Sequence, residues 1–518
     1  MPDRLQLNSF KDQDELLQLI SDAGATLLNG RVPTLQRSTH ATLFDCCKYA
    51  IKSGAKSVVI QSGVYDPDYL AEYNAYYSRQ FNNVGRRCVR FHFFAIQDPG
   101  AEVLPFLDSD NAKKAYLGFI TLRPIARAPV GASILTKHGA SGFIKSTDLF
   151  PVHIAGVKFE VVGTPFMQQD NAVGACAQAS IWMALRTLRK REGDRAHDPA
   201  QITGAATRYL ISDRTLPNRR GLTQTQMFEA IRAAGYSPHC IYFGQQDSNG
   251  VVALDDAAVT RALMQLHPYI ESEIPALLVL FPSGGGHAVV AIGHKWEDVP
   301  TNPITFPLTL TNGIVATIAL ASSWTPSLIV HNDNSGPYRE LSRSSTVDYA
   351  LCHALSAIPL LPVDVFMTAE EAQQVGADYV AQVLIALQAG LGDAEVVKVA
   401  ELLATRLLLL EKRKLRQWAV DAEDLPVELR SWLRMRELPR RIWVLELHLK
   451  AAYSHGKFKS LVGLILMDPT GDAVESSVMM TYFNLPTFTT EPTGVLSFFE
   501  PAMTSIQTAP SKPATMIS

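Results

Sequence analysis

The stretch TPFMQQDNAVGACAQASIWMALRTLRKR, residues 164–191, contains the change of pattern around which the chain is organised. Its first half is rich in polar and turn-forming residues. From Cys176 onward, apolar residues recur at the spacing of a helix. Arg189, Lys190 and Arg191 crowd the end of the segment, where cations complement the negative end of a helix dipole. The pattern predicts a helix that begins at or next to Cys176.

A cysteine at the start of a helix has two interpretations. The helix N-terminus favours an anion, and it is one of the few environments that lower the pKa of a thiol. A cysteine among alanines is also often a small buried hydrophobic residue. Two glutamines upstream of Cys176 and a suitable histidine downstream favour the reactive interpretation, because a nucleophilic thiol needs partners of these kinds.

Composition bounds the class of protein. The chain has 518 residues, of which 47% are hydrophobic and 19% charged, as is ordinary for a folded protein. Its length exceeds what a single core usually holds, so several domains are expected. A formal net charge of -3 argues against general affinity for nucleic acid or for an anionic membrane surface.

Targeting signals and cysteine usage indicate a compartment. The N-terminal sequence MPDRLQLNSFKDQDELL lacks the pattern of a secretory signal, and the apolar runs are too short for a membrane span. The six cysteines have neither CxxC spacing nor the Cys/His spacing of a metal site. We therefore expect a cytoplasmic protein with reduced thiols, no membrane span and no metal.

Proline- and glycine-containing turns suggest the domain boundaries. Residues 1–127 are predicted to form an N-terminal α/β domain of unknown role, in which no chemistry with a clear spacing rule is found. Residues 128–360 hold the candidate chemistry. Residues 361–500 are expected to form a C-terminal domain of helices and a small sheet, and the Pro/Ser/Thr/Ala-rich residues 501–518 a disordered tail.

Three parts of the middle region carry residues that would form a nucleophilic site together. Cys176 opens a helix, and His287 opens a strand after a run of glycines. Asn332 and Asp333 end a later strand. A cysteine nucleophile needs a base within hydrogen-bond reach, and the base needs an orienting carboxylate or amide. Because alternate strand residues face opposite sides, only one of Asn332 and Asp333 should point at His287, and we favour Asp333.

Gln168 and Gln169 lie in the loop that leads to Cys176. Either side chain can donate an amide N–H to an oxyanion, with the backbone N–H of Cys176 as the second donor. Both glutamines remain candidates.

The segments QQDNAVGACAQASIWMA, GGGHAVVAIGHKW and VHNDNSGPY resemble the papain-like cysteine peptidase superfamily. The likeness is greater to the bacterial branch that includes the double-glycine leader peptidases of bacteriocin exporters, and it covers about residues 160–340. It implies that Cys176 is the nucleophile, His287 the base, Asp333 or Asn332 the orienting residue, and Gln169 or Gln168 the oxyanion donor. The chain departs from the family pattern in that Ala177, not glycine or tryptophan, follows the cysteine.

The expected fold is therefore α+β, with a central papain-like domain between N- and C-terminal α/β units. The expected activity is thiol hydrolysis of a peptide or isopeptide bond in a protein or peptide substrate, without metal or organic cofactor. Two alternatives remain open at the level of sequence. One is acyl transfer, deamidation or amidase activity on the same residues, and the other is a non-catalytic binding or scaffold protein. By analogy, the flanking domains are candidates for binding a partner protein.

Overall fold

A computed structural model of the chain has the mixed α+β fold that the sequence predicts. It describes residues 5–27, 37, 39–81, 84–97, 102–169, 176–191, 193, 196–209, 221–283, 285–300, 303–453, 459–471, 477–486, 494–499, 506–508 and 514–516. The chain forms two compact units. Unit 1 comprises Met1–Leu254, Glu273–His294 and Leu328–Leu360, and unit 2 comprises Asp255–Ser272, Lys295–Ser327 and Leu361–Ser518.

The helices are α1 (Gln13–Leu27), α2 (Ala41–Lys52), α3 (Pro67–Ala75), α4 (Val103–Asp108), α5 (Asp110–Ala115), α6 (Cys176–Arg191), α7 (Pro199–Ala206), α8 (Gln224–Ala233), α9 (Asp256–Glu271), α10 (Ala369–Leu391), α11 (Asp393–Glu401), α12 (Lys412–Asp421), α13 (Val427–Met435) and α14 (Lys450–Tyr453).

The strands are β1 (Leu5–Ser9), β2 (Ser57–Val64), β3 (Cys88–Phe94), β4 (Tyr116–Leu122), β5 (Ser133–Thr136), β6 (Phe143–Ile144), β7 (Asp148–Ile154), β8 (Val157–Phe166), β9 (Tyr236–Pro238), β10 (Ile241–Tyr242), β11 (Ala276–Ser283), β12 (Gly285–His294), β13 (Thr305–Thr309), β14 (Val315–Leu320), β15 (Leu328–Asn332), β16 (Gly336–Leu341), β17 (Ala354–Pro362), β18 (Leu403–Glu411), β19 (Arg441–Leu449), β20 (Lys459–Met467), β21 (Val478–Pro486), β22 (Gly494–Phe499), β23 (Ile506–Thr508) and β24 (Ala514–Thr515).

Unit 1 is built on two sheets. The first has the strand order β1-β2-β3-β4-β5-β8-β7, and its neighbouring strands are antiparallel. The second has the order β10-β17-β11-β12-β15-β16, with β6 added beside β12 and β9 beside β17. The strand pair β12–β15 brings the start of the glycine-led strand and the polar end of β15 into one sheet.

Helix α6 lies in the core of unit 1. Residues 177–185 are all buried, which is typical of a helix that packs against neighbours on every side. The buried cluster that contains Ile181 and Met183 also includes Phe91 of β3 and Val290 of β12. The helix runs from Cys176 to Arg191, as the sequence predicted.

Unit 2 contains the third sheet, whose strand order is β13-β14-β18-β19-β20-β21-β22-β23, with β24 beside β20. Strands β18, β19 and β20 are nine residues long and almost wholly buried. One face of β18 and β19 packs against α12 and α13 through an apolar cluster that includes Leu408, Leu415 and Leu429.

The two units divide the chain differently from the domains expected from sequence. The expected boundary at residues 127/128 falls between β4 and β5, which are neighbours in one sheet. Strands β13 and β14, from the expected middle domain, belong to the sheet of unit 2. In the expected tail, 506–508 and 514–515 form short paired strands, and most other residues of 501–518 lie outside the described part. Among the described residues, no helix is long and apolar enough to cross a membrane.

Candidate active site

Cys176 is the first residue of α6, and its side chain keeps partial access to solvent. Of the first ten residues of the helix, 176–185, it is the one that is not fully buried. A nucleophile must be reachable by its substrate, and a helix start offers unpaired backbone N–H groups nearby. The position therefore meets the first requirement of a thiol nucleophile.

Two hydrogen bonds join α6 to β12 at Ala288. The backbone N–H of Ala288 donates to Sγ of Cys176 at 3.2 Å, and its carbonyl oxygen accepts from Oγ of Ser180 at 3.0 Å. Cys176 and Ser180 lie four residues apart and so share one face of the helix. A shift of one residue along the helix would break both bonds. These contacts fix the sulfur beside the residue that follows His287.

His287 lies near the start of β12 and is 6% exposed. Its Nε2 lies 2.9 Å from Oδ1 of Asn332. The same Oδ1 accepts the backbone N–H of Asn334 at 2.9 Å, which identifies it as the oxygen of the amide. Because an amide oxygen only accepts, Nε2 of His287 must carry the proton. The lone pair is then on Nδ1, as a proton acceptor at that atom requires.

The other contacts of the imidazole agree with this tautomer. Nδ2 of Asn334, a donor, lies 3.5 Å from Nδ1 of His287. The ring of Tyr349 stacks on the imidazole, with the ring centroids 4.4 Å apart. The imidazole is thus held by a hydrogen bond at one nitrogen and by stacking on its face, while Nδ1 has one long contact within the described part of the chain.

Asp333 also approaches His287. Its Oδ1 lies 3.5 Å from Nε2, a longer contact than that of Asn332, and its side chain is fully buried. The expectation that only one of the two residues would face the histidine is therefore wrong. Strand alternation ends with β15 at Asn332, and Asp333 lies in the turn that follows. The residue that makes the hydrogen bond is Asn332, although the sequence argument favoured Asp333.

Burial changes the titration of this carboxyl group. Removal from water raises the pKa of Asp333 to about 7, although the backbone N–H groups of Asp333 and Gln169 lower it in part. The carboxyl group is therefore close to half-ionised near neutral pH. An ionised carboxylate this close to an imidazole stabilises the imidazolium form.

Burial also decides the charge state of the thiol and the imidazole. It raises the pKa of Cys176 to about 11; the charge of Asp333 adds to the rise, and the backbone N–H groups of Ala288, Ala177 and Cys176 oppose it. It lowers the pKa of His287, against the effect of the hydrogen bond that His287 donates to Asn332. The lowered thiol pKa expected from the helix start is therefore not found, because desolvation outweighs the N–H groups. The resting pair is a neutral thiol and a neutral imidazole.

The structure separates the two candidate glutamines. Gln168 is 8% exposed, and both ends of its amide are occupied. Its Nε2 donates to Oγ1 of Thr42 at 3.2 Å, and its Oε1 accepts the backbone N–H of Val130 at 3.2 Å. Its carbonyl oxygen accepts from Arg123 at 2.9 Å. Gln168 therefore has a structural place, with its amide nitrogen committed to Thr42 and its amide oxygen to Val130.

Gln169 is the glutamine with a weakly held side chain. It is partly exposed, and among the residues that the structure describes its Nε2 makes one long contact, 3.5 Å, to Oδ1 of Asn334. Asn334 is the residue whose amide nitrogen approaches Nδ1 of His287. The amide of Gln169 thus lies on the histidine side of the site. Residues 170–175, which connect it to Cys176, lie outside the described part of the chain.

The site includes residues that the sequence argument did not identify. Oγ1 of Thr42, on α2, donates to the carbonyl oxygen of Asp333 at 2.9 Å and accepts from Gln168. Thr42 thus links the turn at Asp333 to the loop that leads to Cys176. No local signal marks this threonine, which lies 291 positions before Asp333. Asn334 lies within the polar run HNDNSGPY and was open to identification, whereas Tyr349 has no such signal.

Comparisons with known proteins do not add a family or a relative. No protein-family model matches the chain, and no curated protein matches it either.

Proposed function

We propose that the protein is a cysteine hydrolase that cleaves a peptide or isopeptide bond through an acyl-enzyme. Cys176 is the nucleophile, His287 the base, and Asn332 the residue that orients the imidazole. The observation that carries the proposal is a pair of hydrogen bonds. Sγ of Cys176 accepts the N–H of Ala288 at 3.2 Å, and the adjacent His287 is held at Nε2 by Asn332 at 2.9 Å.

The reaction begins from the neutral pair. Nδ1 of His287 takes the thiol proton as Sγ of Cys176 bonds to the carbonyl carbon, and the carbonyl π electrons move to oxygen. The tetrahedral intermediate collapses, the C–N bond breaks, and the leaving amine takes the proton from the imidazolium. Water then attacks the thioester with His287 as the base. The C–S bond breaks, the acid leaves, and the thiol is restored.

The electrostatics support general-base catalysis over a preformed ion pair. A thiol with a pKa of about 11 and an imidazole whose pKa is lowered both rest uncharged at neutral pH. Charge appears on His287 only as the sulfur attacks. Asp333, at 3.5 Å from Nε2, is placed to stabilise that transient charge when it is ionised.

Gln169 is the proposed side-chain donor to the oxyanion, together with the backbone N–H of Cys176. The assignment is favoured over Gln168 because the amide of Gln168 is already bonded to Thr42 and Val130. The reaction needs no metal and no organic cofactor.

The proposal also covers the compartment, the substrate class and a partner of the protein. The sequence resemblance to papain-like cysteine peptidases agrees with this mechanism. All six cysteines are free thiols, which favours a reduced, cytoplasmic compartment. We expect a protein or peptide substrate, and we expect residues outside the site to help bind a partner protein.

The test uses p-nitrophenyl acetate, an activated ester that acylates reactive thiols. We expect nitrophenolate release through an acetyl group that peptide mass spectrometry locates on Cys176. Cys176→Ala should abolish this reaction, because no other group supplies the covalent step. Cys240→Ala, which removes another half-buried thiol, is the matched control and should react like the parent protein. An added alkylamine distinguishes hydrolysis from transfer, since an N-alkylacetamide product would favour acyl transfer.

Two results would overturn the proposal. One is acetylation spread evenly over Cys176, Cys240 and Cys352, the three half-buried thiols. The other is a rate of acetylation at Cys176 that does not change in His287→Ala. Either result would favour the binding or scaffold interpretation.

A further inference from the structure

A cleft of about 370 Å³ lies in unit 1, apart from the Cys176 site. Its walls come from the start of α3, strands β3, β4, β5, β7 and β8, helix α6 and the segment before α7. Trp182 and Arg186, which line it from α6, come six and ten residues after Cys176, or about 9 and about 15 Å along the helix axis. The volume is within the range of small-molecule sites, about 300–1,000 Å³. The cleft is therefore large enough for a ligand of its own.

Two arginine side chains on the wall of the cleft stack on aromatic rings. The guanidinium carbon of Arg90 lies 4.7 Å from the ring centroid of Phe119, and that of Arg186 lies 4.8 Å from a ring centroid of Trp182. Both arginines are partly exposed. A guanidinium group is planar and also stacks on flat π systems through its second face. The wall therefore favours a planar ligand.

Aspartates balance the charges of the two arginines. Nη2 of Arg90 donates to Oδ2 of Asp66 at 2.8 Å, and Nη2 of Arg186 donates to Oδ1 of Asp68. Asp198, a third carboxylate, also lines the cleft. An anionic ligand would thus meet three carboxylates and two guanidinium groups that are already paired. The described part of the wall therefore disfavours an anion.

The arginines also keep N–H donors that no described residue accepts. Nε of Arg186 is buried and has no hydrogen-bond partner among the described residues, while its Nη2 is bonded to Asp68. Arg90 uses Nε for Oγ1 of Thr121 at 3.3 Å and Nη2 for Asp66, which leaves Nη1. Buried polar groups are nearly always paired, so the N–H of Arg186 points to an acceptor on a bound molecule. An ammonium group presents only donors and cannot satisfy it.

An acceptor lies beside the donor of Arg186. Oδ1 of Asp68 accepts from Nε1 of Trp182 at 3.1 Å and from Nη2 of Arg186. Both bonds end on that one oxygen, and within the described part of the chain Oδ2 accepts none. Because Asp68 and Arg186 are bonded to each other, the wall presents an N–H donor and a carboxylate acceptor side by side. An amide group carries the complementary acceptor and donor.

Much of the remaining wall is apolar. Ile134, Phe150 and Pro165 contribute to it, and Phe150 is partly exposed. An aromatic ring that packs against such a wall buries apolar surface, and it gains further when it meets another ring edge-on or offset. The apolar part of the cleft therefore favours a ring attached to the amide.

We propose that this cleft is a binding site for a neutral, planar aromatic amide. The amide oxygen accepts from the guanidinium group of Arg186, the amide N–H donates to Oδ2 of Asp68, and the ring packs against Phe150. A carboxylate of the same shape would be repelled by the aspartates, and an ammonium ion would leave the N–H of Arg186 without an acceptor. The site is independent of the hydrolase proposed above.

The test titrates benzamide into the full-length protein and follows binding by saturation-transfer NMR. We expect saturable binding with a Kd between about 100 µM and 10 mM, as is typical of so small a ligand. Benzoate has the same shape and a negative charge, and benzylamine is a cation at neutral pH. Each should bind roughly tenfold more weakly than benzamide, because one mismatched group is worth more than 1 kcal/mol in a buried site.

Two variants locate the site. Phe150→Ala removes an aromatic wall from the edge strand β7, and Arg186→Lys keeps the charge but removes the Nε–H; each should weaken benzamide binding roughly tenfold. Leu149→Ala is the matched control for the first, since the preceding residue on a strand faces the opposite side. Arg232→Lys, at an exposed arginine, is the control for the second. Both controls, and Cys176→Ala, should bind like the parent protein.

No saturable binding of benzamide, equal binding of benzamide, benzoate and benzylamine, or equal binding by the parent protein and both cleft variants would overturn the proposal. So would an experimental structure, determined with benzamide at saturating concentration, in which the cleft holds only water.

Discussion

Two groups of hydrogen-bonded side chains in this molecule contain similar residue types but differ in the chemistry that they can perform. In unit 1, Sγ of Cys176 accepts from the backbone N–H of Ala288 at 3.2 Å, and Nε2 of the preceding residue, His287, is held by Asn332 at 2.9 Å. In unit 2, Oγ of Ser460 lies 3.0 Å from Nδ1 of His448, whose Nε2 lies 3.3 Å from Oε2 of Glu446. The second set has the serine, histidine and acid of a hydrolytic triad.

The two sets differ in solvent exposure and in the hydrogen bonds that their members already make. Ser460, His448 and Glu446 are all 0% exposed, and Glu446 also accepts from Arg406 at 2.9 Å. Arg406 is bonded in turn to Glu271, so this is a buried ion network in which the carboxylate is already in use. Cys176 is partly exposed, and the contact that Nδ1 of His287 makes among the described residues is long, at 3.5 Å. A series of hydrogen-bonded residues of the right types is therefore not sufficient for an active site. The nucleophile must also be accessible to substrate, and the base must be able to accept its proton.

We expect the two sets to differ most when the histidine of each is replaced. His287→Ala should slow acetylation of Cys176 about 10²–10⁴-fold, because the base is lost. His448→Ala should leave that rate unchanged in the folded protein. It should lower the free energy of unfolding by about 1–3 kcal/mol, since Ser460 and Glu446 lose a buried partner. Acetylation kinetics and urea denaturation measure the two effects.

The opposite result, a normal acetylation rate in His287→Ala, would contradict the assignment of the base. A loss of acetylation in a stably folded His448→Ala variant would assign chemistry to the buried set.

Asp333→Asn tests the effect of the buried carboxyl group through its dependence on pH. The pKa of Asp333 is about 7 in the folded protein, against an ordinary value of 3.8, so ionisation destabilises the fold. The penalty is absent below pH 3.8, grows as pH rises towards 7, and is constant above. The variant should therefore raise the free energy of unfolding at pH 8 by up to about 4 kcal/mol and have little effect near pH 4.

The same variant should react more slowly with p-nitrophenyl acetate at pH 8, because the ionised carboxylate near His287 is lost. In the parent protein the rate of this reaction should rise with pH around 7, as Asp333 ionises. This rise should be absent in Asp333→Asn. Asp108→Asn, an exposed carboxylate, is the control and should change neither property. A stability gain that is the same at pH 4 and pH 8 would contradict the buried-carboxyl explanation.

The smallest expected effect concerns Thr42, a positioning residue from α2. Thr42→Val removes the hydroxyl that joins Gln168 to the carbonyl of Asp333, so the free energy of unfolding should fall by about 1–2 kcal/mol. The acetylation rate should fall roughly tenfold. Thr42→Ser keeps the hydroxyl and should restore the rate. Equal rates in the valine and serine variants would exclude a role for this bond.

Some of this could be predicted from the sequence because it depends on neighbouring residues. Apolar spacing after Cys176 and the basic residues at 189–191 are local signals, and the helix has the predicted bounds. The polar run after Val330 marks a strand end in the same way, and β15 ends within it at Asn332. The glycines before His287 do not mark the start of the strand, because β12 begins at Gly285 and His287 is its third residue.

Other features depend on partners far along the chain. The expected boundary at residues 127/128 followed from local turns, but β4 and β5 pair across it. The contact of Thr42 with Asp333 spans 291 positions. Pairing of this kind follows from which surfaces meet in the folded chain, and a single sequence carries no signal for it.

The local sequence already carries the chemical groups of the site: a thiol at a helix start, an imidazole near a strand start, and an amide and a carboxyl group at a strand end. The tertiary structure decided how those groups are used. It gave Asn332 the hydrogen bond, placed Asp333 in a turn, fixed Gln168 in the framework and raised the pKa of Cys176 to about 11. The physical reason is that charge and hydrogen bonding depend on burial, which exists only after distant segments have packed together.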